Sequence, residues 1–303
     1  MKPYLKSVIT ATLIAGLVLL FTIRVVAPNL PPMAGRPDVE EVREFTRPSA
    51  GKLRLQSTDG LISIRSHDSA NVVGRAHIRA FLRSGTKDTL ESYIASLVQL
   101  NETNGELLIT TEAGERPDPF ELFVVYDIGV PRGTDIEIES NNGNVWVNEG
   151  CGAVTVRGRN TDIRIDRPQG KVMAESVNGR VQLIEAPDGG SIRTVNGNVY
   201  AGVRGGRLDA ATDNGVIRAT VLDPAVVSAT LTSQNGGVTL LMANQVSASI
   251  RARTSRGSVR AELPVQTSGV EPSRRYLEGT IGDGHSKIVL DALNGNIVIA
   301  RSE

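Results

Sequence analysis

The 303-residue chain has one cysteine, Cys151. An intramolecular disulfide is therefore excluded, and cysteine usage says nothing about the compartment. Aromatic residues make up only 4% of the chain, which excludes a core of large rings. A thin core of small aliphatic side chains suits this composition better, with the 31 glycines serving turns. Histidine is almost as scarce: His67, His77 and His285 are the whole set. His67 and His77 lack the i, i+4 spacing of a helical metal pair, and no second cysteine completes a zinc site. No metal or cofactor is expected, and the histidines read as surface or turn residues. Charge of one sign is missing too, with 33 basic and 33 acidic side chains, so no global field points to nucleic acid as a partner. The charge is nevertheless segregated. Residues 101–150 hold eleven acidic and two basic side chains, while 151–260 hold fourteen basic and eight acidic. Unequal solvated surfaces account for this.

Long apolar runs are absent except at the start. Residues 7–27 are apolar apart from Arg24 and follow a short tail carrying Lys2 and Lys6. At about 1.5 Å per residue the run is roughly 31 Å long, the thickness of a bilayer's hydrocarbon core. Arg24 would snorkel to the interface, and the basic tail places the N-terminus inside and the body outside. A cleaved signal peptide is the alternative, since Val25-Val26-Ala27 resembles a small-residue cleavage site. Pro28 immediately after it favours an uncleaved anchor. No cysteine near residue 27 is available for a lipid. Residues 28–37 contain Pro28, Pro31, Pro32 and Pro37 and read as a stiff spacer. The body is then 38–303.

Within that body one internal repeat dominates. Ser/Thr-x-Asn-Gly occurs at 140–143, 176–179, 194–197, 212–215 and 233–236, with degenerate copies at 57–60, 254–257 and 292–295. Gly179, Gly197 and Gly215 are 18 apart; Gly215, Gly236 and Gly257 are 21 apart. The double gap between Gly143 and Gly179 hides a rung centred on Asn160-Thr161. Counted from each glycine, positions −7, −5, +2 and +4 are aliphatic: Val172, Ala174, Val181 and Leu183 in one rung, Ile288, Leu290, Ile297 and Ile299 in another. Period-two alternation on both sides of an Asn-Gly turn gives two short strands per rung, each with one inward face. The expected fold is an all-β parallel solenoid with rungs of about 18–21 residues, because only stacking buries such faces. The asparagines at −1 (Asn142, Asn160, Asn178, Asn196, Asn214, Asn235) tolerate left-handed backbone and can bond along the stack as a structural turn ladder. Position −3, always small, sits where the chain bends. Sequence order places the rungs one after another, with residues 287–300 last.

Two segments depart from the repeat. Residues 86–100, within an insertion at 84–100, carry Leu90, Tyr93, Ile94, Leu97 and Val98 as the stripe of an amphipathic helix capped by Thr86. This helix is expected to cover the N-terminal end of the stack. Residues 265–284 break the period and read as a capping hairpin.

Outward positions form columns. Position −4 reads Glu139, Arg157, Glu175, Arg193, an alternating-charge ladder. Position +3 reads Trp146, Arg164, Gln182, Tyr200, Arg218. Within it Trp146 with Arg164, and Tyr200 with Arg218, are spaced for cation–π stacks, and the four make a candidate ligand face for a sugar or an anionic polymer. Cys151 lies in an inter-strand turn with no obvious base nearby, so a catalytic role is not expected of it, and a spare thiol able to form an intermolecular disulfide is a minor alternative. Asp162, Asp166 and Asp209 form no paired set, so catalysis is not expected.

The Asn-Gly rungs, the segment Val125-Tyr126-Asp127-Ile128-Gly129-Val130-Pro131-Arg132-Gly133 and the final rung at 287–300 resemble the bacterial adhesin-like, or "toastrack", β-solenoid domains over about residues 40–303. The resemblance implies adhesion or envelope-stress sensing and brings no catalytic motif. The leading expectation is a non-catalytic binding, adhesion or scaffold module on the bacterial inner or cytoplasmic membrane. Its partners would be the bilayer through residues 7–27 and an envelope polymer or a partner membrane protein, with no nucleic acid. An extracytoplasmic sensor relaying through a membrane partner is the alternative, and a polysaccharide-cleaving β-helix enzyme a third reading.

Overall fold

The computed structural model describes residues 36–48, 51–111, 120–223, 227–267 and 271–302. The 7–27 anchor and nearly all of the 28–37 spacer lie outside the described residues. From residue 37 onward the chain forms one unit, and its body is a stack of parallel rungs. An offset of 18 residues sets each strand over the one before through Gly215, and an offset of 21 sets the next. Ile163, Val181, Val199 and Ile217 stand in register on one face. Ala174, Ile192, Ala210 and Leu231 do so on the other. Inward residues are almost fully buried, as Val181, Leu183, Ile217 and Leu231 show. Each contributes about 1.5–3 kcal/mol by leaving water, and no rung could bury its own four without neighbours. From residue 172 onward each rung has two strands, such as Val172–Asn178 with Val181–Ala186. Lys52–His67, Asp135–Val147 and Val154–Asp166 instead run continuously through the corner.

The corner explains the repeat. A Cβ on Gly197, Gly215 or Gly236 would lie 1.8–2.0 Å from the carbonyl oxygen of the glycine below, so the rungs can stack only if that row is bare. The small residue at −3 uses the same carbonyls. Thr194, Thr212 and Ser233 donate their hydroxyls to the oxygens of Gly179, Gly197 and Gly215 at 2.9–3.0 Å. Each hydroxyl is buried and satisfied at once. In the hidden rung the two positions exchange roles. Thr161 takes the glycine's place and Gly158 the hydroxyl's, and a Cβ on Gly158 would come within 2.5 Å of the Thr161 Cβ. The outer side of the corner is the asparagine ladder. Each Nδ2 donates to the Oδ1 of the rung below at 2.7–2.9 Å, from Asn235 through Asn214, Asn196, Asn178 and Asn160 to Asn142. Asp59 ends it below and Asn294 adds a step above.

Rung order differs from sequence order. Val227–Asn235 pairs with Ser286–Ala292, which pairs in turn with Ala248–Thr254. The rung at Gly295 therefore sits between those at Gly236 and Gly257. Bulk is the physical reason. Ile288, Leu290, Ile297 and Ile299 are buried on all sides and need cover above and below. The outer rung carries the smaller Ala252 and Ala261, and its Val259 and Ala261 stay half-buried. Tyr276–Ile281 then caps the edge, antiparallel to Ala248–Thr254 and to Gln266–Thr267. That places a hairpin within 265–284, as the broken period suggested.

At the other end Lys52–His67 stacks directly on Asp135–Val147, so the described residues between them, 68–111 and 120–134, form a cap. Phe120–Pro131 pairs parallel with the second half of Lys52–His67, and Asn71–Leu82 and then Val39–Pro48 add antiparallel strands beyond it. Charged residues and Pro48 along the outermost strand discourage further pairing. The helix is Lys87–Leu97, with Leu90, Ile94 and Leu97 buried and Thr86 accepting from the Thr89 amide. It stops three residues short of the expected end. Val98–Thr103 is a strand, joined to Glu106–Thr111 by Asn104-Gly105, both at positive φ. No basic residue lies in the helix's last turn, and Arg43 from the edge strand donates to the carbonyl of Ile94 at 2.6 Å instead.

Candidate functional site

Position +3 projects outward because its neighbours at +2 and +4 point into the core. The stacked strands therefore bring Trp146, Arg164, Gln182, Tyr200 and Arg218 into one file, each in register with the next. Trp146, Gln182 and Tyr200 are half-buried, while Arg164 and Arg218 are exposed. A shallow groove of about 380 Å³ runs along the last four, floored by Gly202 and walled by Leu222. Trp146 stands at the head of the file, outside that groove. The cation–π pairs expected from the spacing are not among the contacts of the described residues. Arg164 donates to Asp166 at 3.3 Å, a nearer and stronger acceptor than a ring. At the far rim the chain bulges at Glu185, which has a positive φ. There Arg204 donates to the Glu185 carboxylate at 2.8 Å and holds it below the usual carboxylate range.

The charge ladder lies on the opposite face. Glu139, Arg157, Glu175 and Arg193 are in register, but Arg157 reaches Glu175 only at 4.0 Å and Glu137 at 3.9 Å. Exposed pairs of this kind contribute about 0–1 kcal/mol each. The column is a solvated surface of weakly paired charges, and Arg193 in it has no hydrogen-bond or ion-pair partner among the described residues.

The remaining reactive side chains are dispersed. His77 bonds Glu40 at 2.7 Å, His285 bonds Ser247 at 3.2 Å, and His67 accepts from the Ser69 amide. Asp162 accepts from the Arg180 amide and Asp209 from Arg207. Among the described residues no group of three or more His, Cys, Asp or Glu converges as a metal would need. Cys151 is not available as a spare thiol. It is fully buried, and that burial pushes its pKa up to about 12, so it is closed to an intermolecular disulfide while the fold holds. A thiol reagent should find no reactive cysteine in the native protein and one after denaturation. Rapid native labelling would contradict this placement.

The profile of the Toastrack DUF4097 family matches residues 125–300, more than half of the chain. The chain belongs to the Toastrack family. The solved structures that the chain matches include a "putative adhesin" from Bacteroides fragilis, 14% identical, covering 87% of this chain and 97% of that one with a TM-score of 0.45. Another from Parabacteroides distasonis is 9% identical with the same coverages and a TM-score of 0.39. A "putative cell adhesion protein" from Clostridium sporogenes is 13% identical and covers 88% of this chain and 100% of its own, with a TM-score of 0.27. None of the curated proteins matches. The Toastrack match spans the whole outer stripe from Trp146 to Arg218. Sequence reasoning found the stripe but missed Gly202 and the Glu185–Arg204 rim. A glycine at an outward strand position was the available signal.

Proposed function

We propose that this Toastrack chain is a non-catalytic binding module of the bacterial cell envelope, held at the membrane by residues 7–27. Its contact surface in this reading is the stripe of Trp146, Arg164, Tyr200 and Arg218. One observation carries the proposal: two rings and two guanidiniums stand in one file, with Arg164, Tyr200 and Arg218 along a groove and Trp146 at its head, on strands whose inner faces are locked in the core. Such a face presents planar contact area at little cost in ordering, which is how aromatic side chains supply much of the energy at binding surfaces. An envelope polymer is the matching partner, because the file repeats at the rung spacing of about 4.8 Å and offers a linear track.

The test is retention on isolated cell-envelope material. Trp146→Ala with Tyr200→Ala should lose at least about tenfold in binding while melting within a few degrees of wild type. Unchanged retention by a double variant that melts markedly lower would leave the rings a bracing role only. The anchor is tested separately. N-terminal sequencing of the membrane fraction should return residues preceding Pro28, and a mature chain starting at or beyond residue 28 would refute it.

A further inference from the structure

One residue of the groove is required by neither the core nor the corners. Gly202 points outward, two residues along the same strand from Tyr200 and in register with Thr220. Its φ is not left-handed, and the nearest atoms to an added Cβ would be the Glu185 amide nitrogen and Leu222 Cδ1 at 3.5 Å and the Leu183 oxygen at 3.9 Å, which is ordinary contact. The corner glycines are bare because a Cβ would strike backbone below 2.5 Å; Gly202 has no such reason. What its missing side chain creates is a hollow. Tyr200 forms one side of it, Ile184 and Leu222 an apolar wall, and Gln182 and Thr220 supply hydrogen-bonding groups.

A second observation gives the hollow a charge preference. Arg164, Arg204 and Arg207 are each engaged by a carboxylate. Arg218, in register with Tyr200, has no hydrogen-bond or ion-pair partner among the described residues. An exposed, unpaired guanidinium beside a half-buried ring is complementary to a flat group carrying one anion. The strands here are paired along both edges, so an extended peptide has no edge to join. Asp166 and Glu185 at the rim oppose the dense charge of a nucleic acid.

We infer that the Tyr200–Gly202 hollow is a subsite for a carboxylate-bearing pyranose of an acidic polysaccharide. The C–H face of the sugar lies over Tyr200 and Gly202, its hydroxyls reach Gln182 and Thr220, and its carboxylate meets Arg218. This rests on the reading of the stripe as a binding surface and adds the class of ligand and the residue that admits it.

The full chain in detergent, titrated with polygalacturonate and with neutral dextran, tests the inference. Wild type should bind polygalacturonate at least about tenfold more tightly than dextran, the difference one charge-assisted contact supplies. Gly202→Thr fills the hollow with a strand-favouring side chain. It should lose at least about tenfold in affinity at an unchanged melting temperature. Arg218→Gln should lose about tenfold and flatten the dependence on salt. Should Gly202→Thr fold poorly, Arg218→Gln still decides the question. Polygalacturonate binding that both variants leave intact overturns the subsite, as does equal affinity for dextran. Retention on envelope material without polygalacturonate binding overturns the acidic-sugar class alone and leaves the stripe standing. Failure of wild type to bind either material defeats both readings.

Discussion

Val181→Asp should destabilise the domain by about 3–5 kcal/mol, the cost of an unpaired carboxylate in an apolar stack. Val181 is fully buried, and Ile163 below and Val199 above hold it in register. No cation can reach it without opening both strands. Gln182→Asp, one residue on, should change stability by about 0.5 kcal/mol, because that side chain faces solvent. Urea denaturation separates the two. The midpoint should fall sharply for Val181→Asp with the slope kept, and barely move for Gln182→Asp. Equal losses would mean that the strand is turned over, which would remove the outer stripe along with the core.

A comparable loss should follow Gly215→Val, for a different reason. Its Cβ would lie 2.0 Å from the Gly197 oxygen and 2.6 Å from the carbonyl carbon. Relief requires the rungs to part. Parting them breaks the Thr212 hydroxyl bond to that same oxygen and the Asn214–Asn196 bond beside it. Overpacking of about 1–3 kcal/mol plus two lost hydrogen bonds of about 1 kcal/mol each is the expected scale. Gly202→Ala should be neutral or stabilise slightly, because the backbone there suits any residue and the unfolded chain loses freedom. Thermal melts of the two variants should differ by many degrees. Similar melting would show that the corner row tolerates side chains and that stacking is looser than the structure has it.

Much of this was readable from residues alone, and the reason is periodicity. Inward Val181, outward Gln182 and the asparagines at −1 follow from one frame repeated many times. Thr161 at a glycine position hid one rung from the motif; the structure shows a compensated exchange with Gly158. Rung order was not readable, because every rung carries the same corner and the same alternation. That pattern encodes register within a rung and is silent on which rung lies next to which. Only the taper from Ile297 and Ile299 to Val259 and Ala261 marks the end of the stack. The strand from Val98 was hidden because Val98 continues the helix's apolar stripe, while the Asn104-Gly105 turn that claims it comes later. Gly202 was not legible because it lies outside the Asn-Gly corner, at an outward position where the repeat constrains no residue type. Cys151 does lie in the turn between Asp135–Val147 and Val154–Asp166, but nothing in its Gly-rich neighbourhood signals that the thiol is buried there.

Trp146 is the only tryptophan in the chain, and it stands half-buried at the head of the stripe, in register with Arg164. Its emission, excited where tyrosine stays silent, therefore reports on the proposed surface without a label. Titrating an acidic polysaccharide into the full-length protein should give a saturable change in that emission. Its midpoint should equal that of binding measured in bulk, and the change should vanish in Tyr200→Ala. Binding that saturates while the Trp146 emission stays constant would place the ligand elsewhere on the molecule and contradict the stripe as its binding surface.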